Sequence, residues 1–159
     1  MDGSFNATAS RLRGRSVLIV EDSGVVAQAV ETLLQDAGMV IAGTASTAID
    51  GERLARGRVP QLAVVDFQLG NDVAFDLVDH LHDLGVRVIV VSGLPICSPR
   101  LANAAAVLQK PFTGQELLGA LVCATRSRLT AAYQWVPGPV CLAIAEGCDV
   151  TLHAMASDP

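Results

Sequence analysis

The segment 62–66, LAVVD, decides the fold of this chain, because four apolar residues run directly into a carboxylate. The segment 16–22, SVLIVED, has the same form and ends in Glu21 and Asp22. Unbroken apolar runs of this kind are typical of central strands in a parallel sheet, which are buried on both faces. Burying a carboxylate at the end of such a strand costs several kcal/mol unless it is paired, so Asp66 needs a functional explanation.

Short apolar runs alternate with longer amphipathic segments around these strands, which is the pattern of βαβ units. Strands are predicted at 16–20, 40–45, 62–65, 86–91 and 107–108. Helices are predicted at about 24–37, 47–56, 73–84, 100–105 and 113–126. Ser23 is expected to cap the first helix, and Ser46 or Thr47 to open the second. Asn71 or Asp72 is expected to cap the third helix, and Thr113 with Glu116 predicts a capping box for the last. The fold class expected is α/β, with a doubly wound parallel sheet.

The composition fits one globular domain with a short appendage. Of the 159 residues, 51% are hydrophobic and 17% charged, which excludes intrinsic disorder over most of the chain. Residues 16–126 contain the whole alternating pattern and are expected to form the domain. Residues 1–15 are polar and are predicted to be a flexible tail in which Arg11, Arg13 and Arg15 are solvated.

Charge and targeting patterns exclude several classes of partner. The formal net charge is -5, and a chain with so few clustered cations is a poor candidate for binding nucleic acid. The first residues lack the apolar core of a secretory signal. The uncharged stretch 129–145 contains Pro and Gly and is barely long enough to cross a bilayer. We therefore expect a cytoplasmic protein that binds neither nucleic acid nor membrane.

Familiar cofactor and catalytic motifs are missing from the sequence. The four cysteines form no C-x-x-C pair and have no His at zinc-site spacing, so reduced thiols are expected. There is no Walker A loop and no Gly-x-Gly-x-x-Gly run after a strand, which argues against a nucleotide-dependent enzyme on this fold.

Polar side chains follow four of the five predicted strands. They are Glu21 and Asp22 after the first strand, Asp66 after the third, Ser92 after the fourth and Lys110 after the fifth. Ligand sites in doubly wound sheets lie outside the carboxyl ends of the strands, so these side chains are expected to converge there. Three carboxylates at one place repel each other, and a hard cation such as Mg²⁺ relieves the repulsion. A carboxylate in such a setting, with a hydroxyl and an ammonium nearby, is suited to accept a phosphoryl group.

The chain resembles the receiver domain of bacterial two-component response regulators over residues 16–126. The resemblance is carried by Glu21-Asp22, Asp66 after LAVV, Ser92 after VIVV, and Lys110-Pro111-Phe112, in that order. It implies a flavodoxin-like five-stranded sheet with strand order 2-1-3-4-5 and helices on both faces. It implies that Asp66 accepts a phosphoryl group from a histidine kinase or a histidine phosphotransfer protein. It further implies that Mg²⁺ is bound by Glu21, Asp22, Asp66 and the backbone carbonyl of Gln68, that Ser92 contacts the phosphoryl oxygens, and that Lys110 pairs with the phospho-aspartate.

Two positions bear on how closely the chain follows that family. Receivers often carry Tyr or Phe three residues before the lysine, where the ring rotates on activation, whereas this chain has Val107. The family commonly has Pro or Gly a few positions after the acceptor, and here Gly70 takes that place. We therefore expect phosphoryl acceptance, with an output that uses a different surface or none.

The function expected is that of a stand-alone response regulator in phosphorelay signalling. It would lose phosphate slowly by self-catalysed hydrolysis, would not otherwise be an enzyme, and would signal by contact with an unknown downstream protein. A pseudo-receiver that acts as an interaction module without phosphorylation is the first alternative, which failure to bind Mg²⁺ would support. A small hydrolase with Asp66 as nucleophile is the second, although the short loops leave little to enclose a substrate. The third is that the chain is a fragment of a longer protein.

Beyond residue 126 the resemblance stops. The segments 140–145 and 150–155 flank Glu146-Gly147-Cys148-Asp149, so residues 127–159 are expected to form either a hairpin or a disordered tail. Their apolar content suggests packing on the domain or on another subunit, and packing on a second copy of the chain would give a homodimer.

Overall fold

The structure is a computed structural model and describes residues 3–94 and 98–126. The strands of this part are β1 (Ser16–Val20), β2 (Val40–Ala45), β3 (Leu62–Asp66), β4 (Gln68–Leu69), β5 (Asp72–Val73), β6 (Arg87–Ser92) and β7 (Ala106–Gln109). The helices are α1 (Gly3–Leu12), α2 (Gly24–Asp36), α3 (Ala48–Gly57), α4 (Phe75–Asp83) and α5 (Gly114–Arg126), with a 3₁₀ helix, η1 (Pro99–Leu101), between β6 and β7. Within the described ranges, no helix has the length and apolar character that a membrane span requires.

Five of the strands form one parallel sheet in the order β2-β1-β3-β6-β7. Counted along the chain without the small β4–β5 hairpin, this is the order 2-1-3-4-5, so the predicted doubly wound sheet is confirmed. Val20 pairs with Val65, and Asp66 pairs with Val91. The carboxyl ends of β1, β3 and β6 therefore lie side by side at one edge, where a ligand site of this fold is formed.

Two hydrophobic clusters cover the two faces of the sheet, because successive side chains of a strand point in opposite directions. In β3, Leu62 and Val64 belong to the cluster that includes residues of α2 and α5. Ala63 and Val65 belong to the other cluster, with residues of α3 and α4. All five residues of β3 are buried, which explains why its sequence is an unbroken apolar run rather than an alternating one.

Side-chain caps begin three of the helices where the sequence predicts them. The Ser23 hydroxyl accepts from the Val26 N–H at 3.5 Å and caps α2, and the Thr47 hydroxyl accepts from the Asp50 N–H at 3.2 Å and caps α3. At the start of α5, the Thr113 hydroxyl accepts from the Glu116 N–H at 3.1 Å. Each cap satisfies a backbone N–H that has no partner inside the helix, and so fixes the residue at which the helix begins after the preceding strand.

The prediction of a flexible tail over residues 1–15 is wrong for most of that segment, because residues 3–12 form α1. Leu12 is fully buried and Ala9 packs against the core cluster that contains α5. The Gly14 N–H also donates to the Gly38 carbonyl at 2.8 Å, which ties the end of α1 to the turn after α2. The apolar contacts of a few residues thus order a segment whose composition is polar, because tertiary packing supplies most of a helix's stability.

The segment after β3 also differs from the prediction. The helix expected at 73–84 with an Asn71 or Asp72 cap begins only at Phe75, and its first turn has no side-chain cap. Asp72 and Val73 instead form β5, which pairs with β4 in an antiparallel hairpin. A short hairpin therefore connects β3 to α4.

The helix predicted at 100–105 is reduced to the single 3₁₀ turn η1. The Ala102 N–H donates to the Pro99 carbonyl and the Ala104 N–H to the Leu101 carbonyl, at 3.1 and 3.0 Å. Hydrogen bonds between residues three apart define the tighter 3₁₀ geometry, which rarely extends beyond a turn. The hairpin or tail predicted for 127–159 lies outside the described residues.

Candidate functional site

The strand order brings three predicted carboxylates together. Glu21 and Asp22 follow β1 directly, and Asp66 is the last residue of β3. Since Val20 pairs with Val65, the next residues along the two strands, Glu21 and Asp66, are neighbours at the sheet edge. Carboxylate oxygens of Glu21, Asp22 and Asp66 all lie within 4.8 Å of one another. Glu21 and Asp66 are buried, whereas Asp22 is exposed to solvent.

Lys110 supplies the positive charge of the cluster. Its Nζ donates to Oδ2 of Asp66 at 3.3 Å and to Oε2 of Glu21 at 3.4 Å. Burial lowers the pKa of Lys110, but attraction to the Asp66 and Glu21 carboxylates outweighs that effect and raises the pKa above its ordinary value. The ammonium is therefore protonated at neutral pH and bridges the two buried carboxylates.

The pKa of Glu21 is raised above its ordinary value, and the main cause is burial. The Ser23 N–H, which donates to Oε1 at 3.1 Å, lowers the pKa, and repulsion from Asp66 raises it again. A raised carboxyl pKa means that the surroundings disfavour the negative charge. A cation placed among the carboxylates would offset this cost.

The donor set fits a hard divalent cation. Three carboxylates offer only oxygen ligands, and they lie close enough to share one ion. Mg²⁺ is bound in proteins by one or two carboxylates together with water and phosphate oxygens, and a cluster open to solvent on the Asp22 side allows for both. The residues present therefore match the Mg²⁺ implied by the sequence resemblance.

Asp22 has a partner that the sequence analysis missed. Its Oδ2 accepts from the backbone N–H of Gly70 at 3.0 Å, across a sequence separation of 48 residues. This hydrogen bond is the main reason that the pKa of Asp22 lies below its ordinary value. The sequence did hold a signal for the hairpin that carries Gly70, because Gly-Asn between two short extended segments is a two-residue hairpin turn.

The structure places Gln68 beside Asp66, and the contact it records is through the backbone N–H. This N–H donates to Oδ1 of Asp66 at 3.3 Å, while Oδ2 faces Lys110. Both carboxylate oxygens of Asp66 thus have a donor, which fixes the orientation of the group. The role of the Gln68 carbonyl as a cation ligand stays a prediction.

Ser92 is buried at the end of β6, at the same edge of the sheet. Its hydroxyl donates to the Leu94 carbonyl at 2.8 Å and accepts from the Leu94 N–H at 3.1 Å. The Ser92 carbonyl accepts from the Lys110 N–H at 2.7 Å, which links β6 to the residue that carries the ammonium. The hydroxyl is therefore engaged with its own loop, and its predicted contact with phosphoryl oxygens would require that it exchange partners.

An aromatic pair lies next to the carboxylate cluster. Phe67, which follows Asp66, contacts Phe75 edge to face with ring centroids 5.1 Å apart. The Arg100 guanidinium lies 4.6 Å from the centroid of the Phe75 ring and forms an ion pair with Asp76 at 3.2 Å. This stack connects the residue after Asp66 with η1, and sequence spacing gave no indication of it.

The family model described as the response regulator receiver domain matches residues 17–122. The putative positive transcription regulator of virulence factors BvgA from Bordetella pertussis is 33% identical over 81 residues, which cover 50% of this chain and 39% of that protein. The photosynthetic apparatus regulatory protein RegA from Cereibacter sphaeroides is 28% identical over 114 residues, covering 68% of this chain and 61% of RegA. The chain thus spans less than two thirds of the length of these curated relatives.

Solved structures show the same fold. The receiver domain of the PhyR response regulator from Erythrobacter litoralis is 25% identical with a TM-score of 0.66, covering 76% of this chain and 96% of that domain. A response regulator from Burkholderia pseudomallei, solved with a phosphorylated aspartic acid, a calcium ion and citrate, is 26% identical with a TM-score of 0.60. That match covers 67% of this chain and 66% of the Burkholderia chain.

Proposed function

The chain belongs to the response regulator receiver domain family, and from this membership we propose that Asp66 accepts a phosphoryl group from a phosphohistidine of a histidine kinase or of a histidine phosphotransfer protein. One observation carries the assignment of the acceptor. Asp66 is the buried carboxylate that ends the middle strand of the sheet, β3, 3.3 Å from the Lys110 ammonium and within 4.8 Å of carboxylate oxygens of Glu21 and Asp22. In the transfer, a carboxylate oxygen of Asp66 forms a bond to phosphorus, while the bond between phosphorus and the histidine nitrogen breaks and its electron pair stays on the nitrogen.

The surrounding residues favour this reaction by charge and by orientation. Asp66 is held by the Gln68 N–H and by Lys110, so the attacking group does not rotate away from the incoming phosphoryl group. Lys110 offsets part of the negative charge that the phosphoryl group brings. Glu21, Asp22, Asp66 and the Gln68 carbonyl are proposed to bind Mg²⁺, which when bound would offset the remaining charge on the phosphoryl oxygens.

The output is proposed to be contact with a downstream protein. After phosphorylation, the Ser92 hydroxyl is expected to exchange the Leu94 backbone for a phosphoryl oxygen, because a charged acceptor forms the stronger hydrogen bond. That exchange would release the Leu94 backbone from the Ser92 hydroxyl. Since Val107 is a small aliphatic side chain, the change cannot be transmitted by the rotation of an aromatic ring at that position.

The proposal is tested by the intact mass of the full chain after incubation with Mg²⁺ and a small-molecule phosphodonor. Wild type is expected to gain one phosphoryl group, and Asp66→Asn and a chelator-treated wild type are expected to gain none. Asp83→Asn is the matched control, since Asp83 is an exposed carboxylate at the far end of α4 and should leave labelling unchanged. Equal labelling of Asp66→Asn and wild type would refute the acceptor assignment. Absence of any adduct, together with no binding of Mg²⁺, would favour an interaction module that works without phosphorylation.

A further inference from the structure

The hairpin between Asp66 and α4 is built around a glycine in a conformation that side chains rarely adopt. Leu69 pairs with Asp72, so Gly70 and Asn71 form a two-residue turn. Gly70 has φ +64, in the left-handed region that favours glycine. Asn71, the second turn residue, does not have a positive φ, so the turn matches type II′, whose twist fits that of the flanking strands.

The backbone N–H of Gly70 is not needed by the hairpin. In a two-residue turn, the pair of residues that flanks the turn supplies the closing hydrogen bonds, so the N–H of the first turn residue is free for another acceptor. Here it donates to Oδ2 of Asp22 at 3.0 Å. An exposed aspartate would otherwise sample several rotamers, and the contact holds this carboxylate beside Glu21 and Asp66.

We propose that Gly70 is a positioning residue for the cation site: its N–H holds the Asp22 carboxylate beside Glu21 and Asp66, where the cation would be bound. The inference rests on the proposed function, because it assigns Asp22 to the Mg²⁺ site. Hydrogen bonds to a ligating carboxylate fix its orientation and thereby increase metal affinity. Proline, which has no N–H and cannot adopt a positive φ, could not do this at position 70.

The experiment compares three substitutions in the full chain. Gly70→Val puts a β-branched side chain where φ is positive, which displaces the turn and its N–H. Gly70→Asn keeps the N–H in a residue that tolerates positive φ. Gly85→Val is the matched control, because Gly85 also has a positive φ (84°) and no heavy atom within 4 Å of an added Cβ, but it follows α4 at the opposite edge of the sheet. Binding of Mg²⁺ alone is measured by calorimetric titration, and thermal unfolding is measured in chelator.

The expected result separates positioning from stability. Gly70→Val should bind Mg²⁺ about tenfold more weakly than wild type, the lower end of the range found when a contact behind a metal ligand is removed. Gly85→Val should lose similar thermal stability and keep wild-type affinity, and Gly70→Asn should stay within about twofold of wild type, since its N–H remains in place.

Three outcomes would overturn the inference. Wild-type affinity in Gly70→Val would show that the hydrogen bond does not position Asp22. Equal loss of affinity in Gly70→Val and Gly85→Val would assign the effect to general destabilisation, and equal loss in Gly70→Asn and Gly70→Val would show that the N–H is not the cause. In each case Asp66 would still accept a phosphoryl group in wild type, so the proposed function would stand. If wild type neither bound Mg²⁺ nor gained a phosphoryl group, the role of Gly70 and the proposed function would both be rejected.

Discussion

Lys110 donates to Asp66 from Nζ to Oδ2 over 3.3 Å, although the two residues are 44 positions apart and lie at the ends of strands that are not neighbours in the sheet. Lys110 follows β7 and Asp66 ends β3, and β6 lies between them in the sheet. Two strand spacings amount to roughly 10 Å, so only a long side chain lying across the end of β6 can make this contact. The distance explains why lysine, with its flexible stem and compact charge, suits the position.

Lys110→Ala should weaken both the chemistry and the fold. Without the ammonium, Glu21 and Asp66 are left as neighbouring buried carboxylates, and the free energy of unfolding in chelator should fall by about 1–3 kcal/mol. Labelling by a phosphodonor should become slower without being abolished, because Asp66 remains. Urea unfolding and the time course of the intact mass measure the two effects. The control is Arg53→Ala, which removes an exposed ion pair with Asp50 within α3 and should cost less than about 1 kcal/mol. If Lys110→Ala unfolded like wild type, the bridging role would be rejected.

Glu21→Gln should stabilise the metal-free protein at neutral pH and weaken cation binding. The pKa of Glu21 is raised, mainly by burial, so the folded protein binds this proton more tightly than the unfolded chain does. The free energy of unfolding therefore falls as the pH rises from 4.5, the ordinary pKa of a glutamate, through the raised pKa of Glu21. A glutamine amide stays neutral and avoids that loss. Thermal unfolding in chelator measures the gain, and titration with Mg²⁺ should show an affinity at least about tenfold lower. A variant that is less stable than wild type in chelator would contradict this account.

Leu12→Ala should destabilise the domain by about 2–5 kcal/mol, the usual cost of truncating a fully buried leucine. The loss is expected because Leu12 anchors α1 in the cluster that includes α5. Asn6→Ala in the same helix is the control, since Asn6 is exposed and should change the free energy of unfolding by less than about 0.5 kcal/mol. Urea denaturation measures the free energy of unfolding of both variants. Equal midpoints for Leu12→Ala and Asn6→Ala would mean that the packing of α1 does not stabilise the fold.

Glu52 should make stability depend on pH through its ion pairs with Arg56 in α3 and His80 in α4. Its pKa lies below the ordinary value of 4.5, chiefly because of the hydrogen bond from Arg56, with a further contribution from His80, whose Nδ1 is 3.1 Å away. A lowered carboxyl pKa stabilises the fold above pH 4.5, and this contribution is lost as pH falls through the lowered value. Wild type should therefore exceed Glu52→Gln in stability at pH 7 and lose that advantage in acid. A constant difference between pH 7 and pH 3 would be incompatible with this prediction.

Much of the fold was predictable because its determinants are local. The bounds predicted for β1 and β2 are those observed, and the Ser23 and Thr47 caps begin their helices as expected. The convergence of Glu21, Asp22, Asp66 and Lys110 also followed from the sequence, since residues after parallel strands meet at one edge.

The parts that were mispredicted depend on contacts between distant segments. A polar composition suggested a tail where α1 forms, because the burial of Leu12 against α5 is not visible in the local pattern. Asn71 and Asp72 are good helix caps by composition, but pairing with β4 places Asp72 in a strand. Local preference is a weak guide wherever a few tertiary contacts outweigh it.

The sequence by itself determined the positions of the five sheet strands along the chain and the side chains that follow them at the edge of the sheet. These follow from apolar periodicity and from residue type, which are properties of neighbouring positions. Only the tertiary structure decided that the Gly70 N–H holds Asp22 and that the Ser92 hydroxyl rests on Leu94. Almost every residue carries a backbone N–H and a carbonyl, so residue identity does not reveal which ones bond to a side chain. That choice is made when the folded chain brings a donor within reach of an acceptor.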